Sequence, residues 1–396
     1  MQNFIIEPSK QIEIREKYDV VVVGGGIAGV AAAVAAARNG AQTCLLEKEY
    51  ALGGLATLGL VTAYLPLCDG MGNIVSSGLA EELLLLSVRD GSAKVPKCWR
   101  TGGSVEERKK QRYFLEYNAA SYMLELENFV KAAGVKLFYD CRLVGVHMQN
   151  NSVAAVITES KSGREAIACH AAVDAGGDAD LCFLAGENTV SLNTNSASGW
   201  YYTNGSEGVR LHKLYKPFDP CGRTLPPGTQ RGYRGDSLNE VNAHIAESRQ
   251  MIREHLKKIC EEKPDSVFFP FMIPTFPGFR MTRRLEGQLC IDAEDRREYP
   301  DSIGLIANWR KPGPVYSIPL RALRGKCRNL FAAGRCISAQ KNGWDMTRVI
   351  PACSVTGEAA GTAASMCRHG LDWNYQDLQN FLMKQQVKIN FSQIGD

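Results

Sequence analysis

The clearest pattern near the N-terminus is an apolar run that ends in three consecutive glycines. Val20 to Val23 are four β-branched residues in succession, which is typical of a central parallel strand covered on both faces. The Ala- and Val-rich stretch that begins near Ile27 predicts a helix, and "AQTCLLE" at residues 41–47 predicts a second strand. The pattern therefore predicts a strand, a glycine turn, a helix and a second strand in immediate succession.

The glycine turn has the spacing of a dinucleotide-binding loop. Gly24 permits the tight turn, Gly26 lets a pyrophosphate approach the backbone, and Gly29 allows the helix to pack closely on the strand. The helix N-terminus would present unpaired N–H groups to the phosphates. Glu47 ends the second strand, where an acid accepts hydrogen bonds from a ribose. These positions predict a bound dinucleotide, with an incidental glycine turn as the alternative, and they do not choose between NAD and FAD.

Three further stretches favour FAD. Residues 53–60, "GGLATLGL", form a second glycine-rich loop in which small side chains let a ligand pass close to the backbone. Residues 132–158 predict a helix end, a strand and an antiparallel meander, and residues 168–187 predict a strand that again ends in glycines and acids. Residues 329–339 and 348–367 predict a strand, a loop and a long helix of small residues.

In this order, the motifs resemble the bacterial FAD-dependent oxidoreductases of the glutathione-reductase-like flavoprotein superfamily. More distantly they resemble the flavoprotein subunits of fumarate reductase and succinate dehydrogenase. The resemblance covers nearly the whole chain after about residue 17. It implies an α/β fold in which residues 1–187 and 303–396 form a Rossmann-like FAD-binding domain, with a parallel central sheet and an antiparallel meander. Residues 188–302 would form an inserted α+β substrate or cap domain.

The resemblance also implies which residues contact FAD. The segment Asp174–Asp178 would pass near the pyrophosphate and adenosine, although Gly176 stands where the family usually has Thr. Gly334 would let the chain reach the ribityl phosphate, and Arg335 follows it where many relatives have an acid. The start of the C-terminal helix would face the pyrimidine end of the flavin. The predicted cofactor residues are Gly24, Gly26, Ile27, Ala28, Gly29, Glu47, Lys48, Gly53, Gly54, Leu55, Leu143, Ala175, Gly176, Gly177, Asp180, Gly334, Arg335, Ile350 and Ala352.

Two arginines are the predicted catalytic candidates. Arg348 corresponds by order to the arginine that binds substrate carboxylate in fumarate-reductase-like proteins, although the neighbouring glycine pattern of that family is not preserved. Arg283 lies in the arginine-rich segment "RMTRRLEG", and beside a flavin it could clamp a carboxylate or stabilise charge during hydride transfer. A solvated basic strand is the alternative for Arg283. Second-rank candidates between the flavin loop and the C-terminal helix are Lys341, Asn342, Trp344 and Asp345.

These features predict an FAD-dependent oxidoreductase that transfers a hydride between a small organic substrate and non-covalently bound FAD. An arginine clamp would favour an anionic substrate. The reaction direction, the electron donor or acceptor and the oligomeric state stay open. One alternative is a tRNA-modifying flavoprotein with a basic docking face and a nucleophilic cysteine such as Cys336 or Cys353. The other is a flavin-binding electron carrier without its own substrate, which the large insertion disfavours.

Composition narrows the possible partners. The 46 basic residues barely exceed the 42 acidic ones, for a net charge of +4 over 396 residues, and no basic stripe is present. We therefore expect no nucleic acid partner. The 13 cysteines show neither C-x-x-C spacing nor a Cys/His cluster, so we expect no metal site. No apolar stretch reaches the length of about 20 residues that spans a membrane, and no basic flank marks a signal peptide. We therefore expect a cytoplasmic protein without a membrane partner.

Overall fold

The computed structural model describes residues 7, 9–100, 102–217, 219, 232–264 and 267–395. Within these residues the chain alternates strands and helices in its first part, as the apolar pattern predicts. The strands are β1 (Ile14–Val23), β2 (Thr43–Leu46), β3 (Ala63–Tyr64), β4 (Leu115–Glu116), β5 (Lys136–Phe138), β6 (Arg142–Gln149), β7 (Ser152–Ser160), β8 (Gly163–Asp174), β9 (Thr189–Ser191), β10 (Ser198–Gly205), β11 (Gly208–Tyr215), β12 (Phe268–Met272), β13 (Arg283–Leu285), β14 (Ser302–Ala307), β15 (Val315–Pro319) and β16 (Leu330–Ala332).

The helices differ in how far they are buried. In the part of the chain that the structure describes, none of them combines the length and the apolar content that crossing a membrane requires. The α-helices are α1 (Ile27–Arg38), α2 (Leu79–Leu86), α3 (Val105–Lys110), α4 (Ala119–Ala132), α5 (Asp180–Leu184), α6 (Leu238–Glu262), α7 (Lys341–Thr347), α8 (Ile350–Met366) and α9 (Tyr375–Lys384).

A seven-stranded sheet forms the centre of the fold. Its order is β5-β2-β1-β8-β7-β6, and β16 also pairs with β8. The pairs among β5, β2, β1, β8 and β16 are parallel, whereas β7 is antiparallel to β8 and β6 is antiparallel to β7. The predicted parallel sheet with an antiparallel meander is therefore confirmed. The carboxyl ends of β1, β2, β8 and β16 meet at one edge, which is where open α/β sheets bind ligands.

Helices α1 and α8 pack together because α8 presents glycines to α1. A Cβ atom added at Gly357 would lie 2.2 Å from the carbonyl oxygen of Ala28, and one at Gly361 would lie 2.0 Å from that of Ala32. The two glycines are four residues apart and therefore share one face of α8. The small-residue stretch of α8 thus brings two helix backbones into contact, and it fixes the start of α8 beside the start of α1.

Between α5 and β14 the chain forms smaller elements. Strands β11, β10 and β12 make a three-stranded antiparallel sheet, and β13 pairs with β9. The amphipathic helix α6 packs on the three-stranded sheet, where its Ile252 contacts the backbone of Gly199. The division of the chain into an FAD-binding domain and a cap at residues 188–302 stays a prediction.

Candidate functional site

A single cleft collects most of the predicted cofactor residues at the carboxyl edge of the parallel strands. Its volume is about 1140 Å³ with the solvent at its mouth included. The two predicted cofactor residues outside its lining are Gly29 and Ala352. Those in its lining are Gly24, Gly26, Ile27, Ala28, Glu47, Lys48, Gly53, Gly54, Leu55, Leu143, Ala175, Gly176, Gly177, Asp180, Gly334, Arg335 and Ile350.

The glycine turn after β1 has the geometry of a phosphate-binding loop. Gly24 has a φ of +99°, which L side chains rarely adopt. A Cβ at Gly29 would lie 1.8 Å from the carbonyl oxygen of Gly24, so Gly29 is required for packing rather than for lining. A Cβ at Gly26, by contrast, would meet no atom within 4 Å. The space at Gly26 opens into the cleft at the N-terminus of α1, and a phosphate group of a dinucleotide fits there.

Glu47 joins the end of β2 to the glycine turn. Its side chain is buried, Oε2 accepts the Gly25 N–H at 2.7 Å, and Oε1 accepts the Glu49 N–H at 2.9 Å. Burial raises the pKa of Glu47, and the two backbone N–H groups oppose that rise. Because each carboxylate oxygen can accept more than one hydrogen bond, the fixed carboxylate retains acceptor capacity for a ribose hydroxyl.

Asp174 orders the loop after β8. The residue is fully buried, Oδ1 accepts the Gly176 N–H at 3.1 Å, and Oδ2 accepts the Cys182 N–H at 2.9 Å. Burial raises the pKa of Asp174, against the effect of these hydrogen bonds. At Gly176, where the family usually has Thr, the backbone N–H therefore takes part in a local turn without help from a side chain.

Arg283 lies outside the cleft and reaches it through an ion pair with the lining residue Asp180. Its guanidinium forms an ion pair with Asp180, donates to the carbonyl oxygen of Asp178 at 2.9 Å and lies 4.4 Å from the centroid of the Phe183 ring. Burial, Asp178 and Asp174 raise the pKa of Asp180 to about 6, while Arg283 lowers it. Arg283 is not part of the cleft lining, so a direct role in catalysis stays a prediction.

Arg335 lies in the lining with its guanidinium already engaged. Nη1 donates to the carbonyl oxygen of Phe279, and Nη2 lies 3.4 Å from Oδ1 of Asp178. The carbonyl oxygen of Arg335 accepts the Trp344 Nε1–H at 2.5 Å, which ties α7 to the loop after β16. The predicted role of Arg335 as a cofactor-binding residue stays a prediction.

Arg348 lies in the cleft lining and is held by an acid one helical turn earlier. Its Nε donates to Oδ1 of Asp345 at 3.0 Å, and its Nη2 donates to the same oxygen at 2.5 Å. Oδ2 of Asp345 accepts from Nε of Arg310 at 2.7 Å. Burial lowers the pKa of Arg348, whereas Asp345 raises it. The structure thus places a guanidinium that is hydrogen-bonded to Asp345 at the end of the cleft where α8 begins.

The start of α8 also faces this end of the cleft. Ile350 and Cys353 line the cleft, while Ala352 is fully buried inside the protein. Burial raises the pKa of the Cys353 thiol to about 12, against the effect of the nearby Arg335 and Arg348. Cys336 is fully buried, and its thiol lies 3.3 Å from the carbonyl oxygen of Asp174. Both cysteines therefore carry protonated thiols at neutral pH, in contrast to the thiolate that a nucleophile requires.

Sequence reasoning missed Phe276. This side chain lies in the cleft lining and 5.3 Å from Nζ of Lys48, measured to the ring centroid. Its backbone N–H lies 3.3 Å from the carbonyl oxygen of Leu58, which anchors the loop across the cleft. No motif marks it, because the contact depends on a chain segment distant in sequence. The other lining residues not predicted as cofactor residues are Val23, Leu46, Glu49, Ala56, Leu58, Cys141, Arg142, Ala333, Arg348 and Cys353, and most of them directly neighbour predicted ones.

The fold and the cleft define a dinucleotide-binding flavoprotein class. Within the described residues, no group of three or more His, Cys, Asp or Glu side chains is arranged to hold a metal ion. The family model described as FAD dependent oxidoreductase matches residues 19–199 and 211–382. The chain belongs to this family, it is an FAD-dependent oxidoreductase, and its cofactor is FAD.

Individual proteins with similar sequences or structures share only limited identity with this chain. Thiamine thiazole synthase of Methanococcus maripaludis strain C7 is 27% identical over 220 residues, which cover 50% of this chain and 79% of that protein. Thioredoxin reductase of Ureaplasma parvum serovar 3 is 36% identical over 74 residues, or 19% of this chain and 24% of that protein. A geranylgeranyl bacteriochlorophyll reductase-like protein of Thermoplasma acidophilum has a similar structure, with a TM-score of 0.50, 15% identity and coverage of 94% of this chain and 84% of that one. At this identity the structural similarity shows the fold alone.

Proposed function

We propose that this FAD-dependent oxidoreductase transfers a hydride between non-covalently bound FAD and a small organic anion. The observation that carries the proposal is the position of Arg348, which lies in the same cleft as the glycine turn and beside the start of α8. A guanidinium binds carboxylates with a planar pair of N–H donors. The substrate therefore meets positive charge where the predicted flavin end of the cleft lies.

The chain's own residues supply binding and orientation. The open backbone at Gly26 and the N-terminus of α1 receive the pyrophosphate, and Glu47 accepts from the adenosine ribose. With FAD bound, Leu143 would lie beside the adenine, and the N-terminus of α8 would stabilise negative charge at the pyrimidine end of the ring. When bound, FAD supplies the two-electron redox chemistry.

The segment from residue 188 to 302 serves as the substrate cap in this proposal. It crosses to the cofactor side at the loop of Thr275 and Phe276, whose backbone N–H groups donate to the carbonyl oxygen of Leu58 at 3.0 Å and 3.3 Å. A second contact joins the hydroxyls of Tyr202 and Thr62 at 2.8 Å. These contacts hold the three-stranded sheet next to the cleft and limit the access of water to it.

The two alternatives fit the site less well. A tRNA-modifying flavoprotein would use a nucleophilic cysteine, whereas burial keeps both Cys336 and Cys353 in the protonated form. An electron carrier without a substrate would not need a buried arginine fixed in the cofactor cleft. Retention on nucleic acid in low salt would favour the first alternative, and the absence of any substrate-dependent bleaching would favour the second.

The test begins with an absorbance spectrum of the purified protein, followed by denaturation and analysis of the released flavin. A flavin band and free FAD are the expected result. The FAD-loaded protein is then mixed anaerobically with a panel of carboxylic acids, hydroxy acids and enoates, each beside its neutral amide or ester. Bleaching or recovery of the flavin by acids but not by their neutral partners supports the proposal. Equal responses to the acids and to their neutral partners would contradict the proposal that the substrate is an anion. A protein that takes up no FAD would overturn the whole proposal.

A further inference from the structure

Asp345, on α7, connects the loop after β14 to the end of the cofactor cleft. It is only 1% exposed, and its two carboxylate oxygens are divided between two arginines. Oδ1 accepts both Nε and Nη2 of Arg348, and Oδ2 accepts Nε of Arg310. Its backbone carbonyl oxygen accepts the Trp309 Nε1–H at 3.2 Å. The acceptors of Asp345 thus bind Arg348 itself and its two neighbours, Arg310 and Trp309.

The surroundings hold this arrangement in one geometry. The Arg310 guanidinium stacks on Trp309 at 4.0 Å from Cζ to the ring centroid, and Cζ of Arg348 lies 5.9 Å from the same ring. Asp345 and Arg348 are three residues apart on α7 and its C-terminal cap, so they share one helix face. Although burial opposes ionisation, Arg348 and Arg310 lower the pKa of Asp345 and keep it charged. A flexible arginine would lose much of its binding energy to ordering, and this carboxylate removes that cost in advance.

We propose that Asp345 is a positioning residue that orients the Arg348 guanidinium toward the flavin end of the cleft. The proposal rests on the proposed function, because it requires that the flavin ring lies beside Arg348. In this role, the effect of Asp345 on the midpoint potential of FAD is opposite in sign to the effect of its negative charge. The negative charge of Asp345 would by itself disfavour reduction of the flavin. As a positioning residue, Asp345 favours reduction, because it keeps the positive charge of Arg348 in place.

The midpoint potential of bound FAD separates these two roles. It is measured by dye-coupled anaerobic reduction of the FAD-loaded wild type, Asp345→Asn, Arg348→Met and the double variant. Arg348→Met is expected to lower the potential, because a positive charge near the reduced ring is lost. Asp345→Asn is expected to lower it by at least half as much. In the Arg348→Met background, Asp345→Asn should instead raise the potential, because only its charge then remains to act.

The matched control is Asp301→Asn, which removes another buried acid that forms a forked ion pair with an arginine, Arg321. Its potential is expected to equal that of the wild type. A second variant, Asp345→Glu, keeps the charge and displaces the carboxylate; it is expected to lower the potential as well, and it serves if Asp345→Asn does not fold. A rise or no shift in Asp345→Asn, or no shift in Asp345→Glu, would overturn the inference. Failure of the wild type to bind FAD would instead contradict the proposed function.

Discussion

The two ends of the cofactor cleft are built in different ways. The dinucleotide end consists largely of backbone, with Gly24, Gly26 and Gly29 shaping the turn and Glu47 bonded to a backbone N–H. The arginine end consists of side chains that reach each other from α7 and from the loop after β14, with Asp345 at their centre. At the dinucleotide end, a single added Cβ atom, such as one at Gly29, would collide with the backbone. At the arginine end, the charge and the orientation of the side chains are decisive.

The largest effect is expected from Gly29→Ala at the dinucleotide end. The new Cβ would lie 1.8 Å from the carbonyl oxygen of Gly24, so the turn or α1 must move. A backbone clash in the core is among the mechanisms that cost about 4 kcal/mol or more of unfolding free energy. We expect loss of bound FAD and a severe fall in thermal stability, measured by flavin absorbance and circular dichroism. A variant that retains FAD and melts like the wild type would contradict the packing role of Gly29.

This difference explains how much of the molecule the sequence predicts. The turn, Glu47 and the loop at Asp174 lie within short segments whose glycines and acids have direct backbone roles. The spacing of the turn and Glu47 predicts the sheet edge and a bound dinucleotide, while the choice of FAD and the role of the Asp174 loop follow from the family resemblance. The meander and the small-residue helix α8 follow from local patterns in the same way.

The arginine end is less predictable because its contacts join segments distant in sequence. Arg348 follows from its place in the chain order, but its link through Asp345 to Arg310 depends on how the loop after β14 folds back on α7. Phe276 enters the cleft from a segment that is distant in sequence and has no motif of its own. The spacing of residues within a motif carries no information about such long-range packing, so the contacts at the arginine end become visible only in the structure.

The next largest effect is expected from Glu358, on the helix that links the two ends. Burial raises its pKa from 4.5 to about 8, against the Leu79 N–H that it accepts. Since the folded state binds this proton more tightly, its stabilising contribution is complete below the unfolded pKa and is lost as the pH rises through about 8.

Urea unfolding at fixed FAD concentration between pH 5 and pH 8 measures this contribution. The wild type is expected to lose up to about 1.4 kcal/mol per pH unit from this group, and Glu358→Gln should flatten that dependence. The exposed Glu106, paired with Lys109 on the surface, provides the control Glu106→Gln, which should leave the slope unchanged. An unchanged slope in Glu358→Gln would show that Glu358 is ionised in the folded protein.

Arg348→Met tests the arginine end directly. Loss of a charged donor that acts on the substrate should lower kcat/KM for an anionic substrate by about 100-fold, or about 2.7 kcal/mol. Turnover of the matching neutral amide should change far less, because it never formed the charged contact. The FAD content and melting temperature are expected to stay near those of the wild type, since the turn at the other end is untouched. Equal losses for both substrates would mean that Arg348 acts only through the flavin or the fold, and that it makes no charged contact with the substrate.

The smallest effect is expected from Gly26→Ala, which sharpens the comparison because it shares the turn with Gly29. A Cβ at Gly26 would meet no protein atom within 4 Å, and the φ of −65° is open to alanine. The apoprotein should therefore fold, with a loss of about 1 kcal/mol or less from the poorer helix cap. The added methyl group projects into the space that the phosphates require, so FAD affinity should fall by about 10-fold, or about 1.4 kcal/mol. Fluorescence titration of the apoprotein with FAD, together with its melting temperature, separates the two quantities. Unchanged affinity would place the pyrophosphate away from Gly26, and a large loss of apoprotein stability would mean that the backbone at this end is constrained even where the cleft is open.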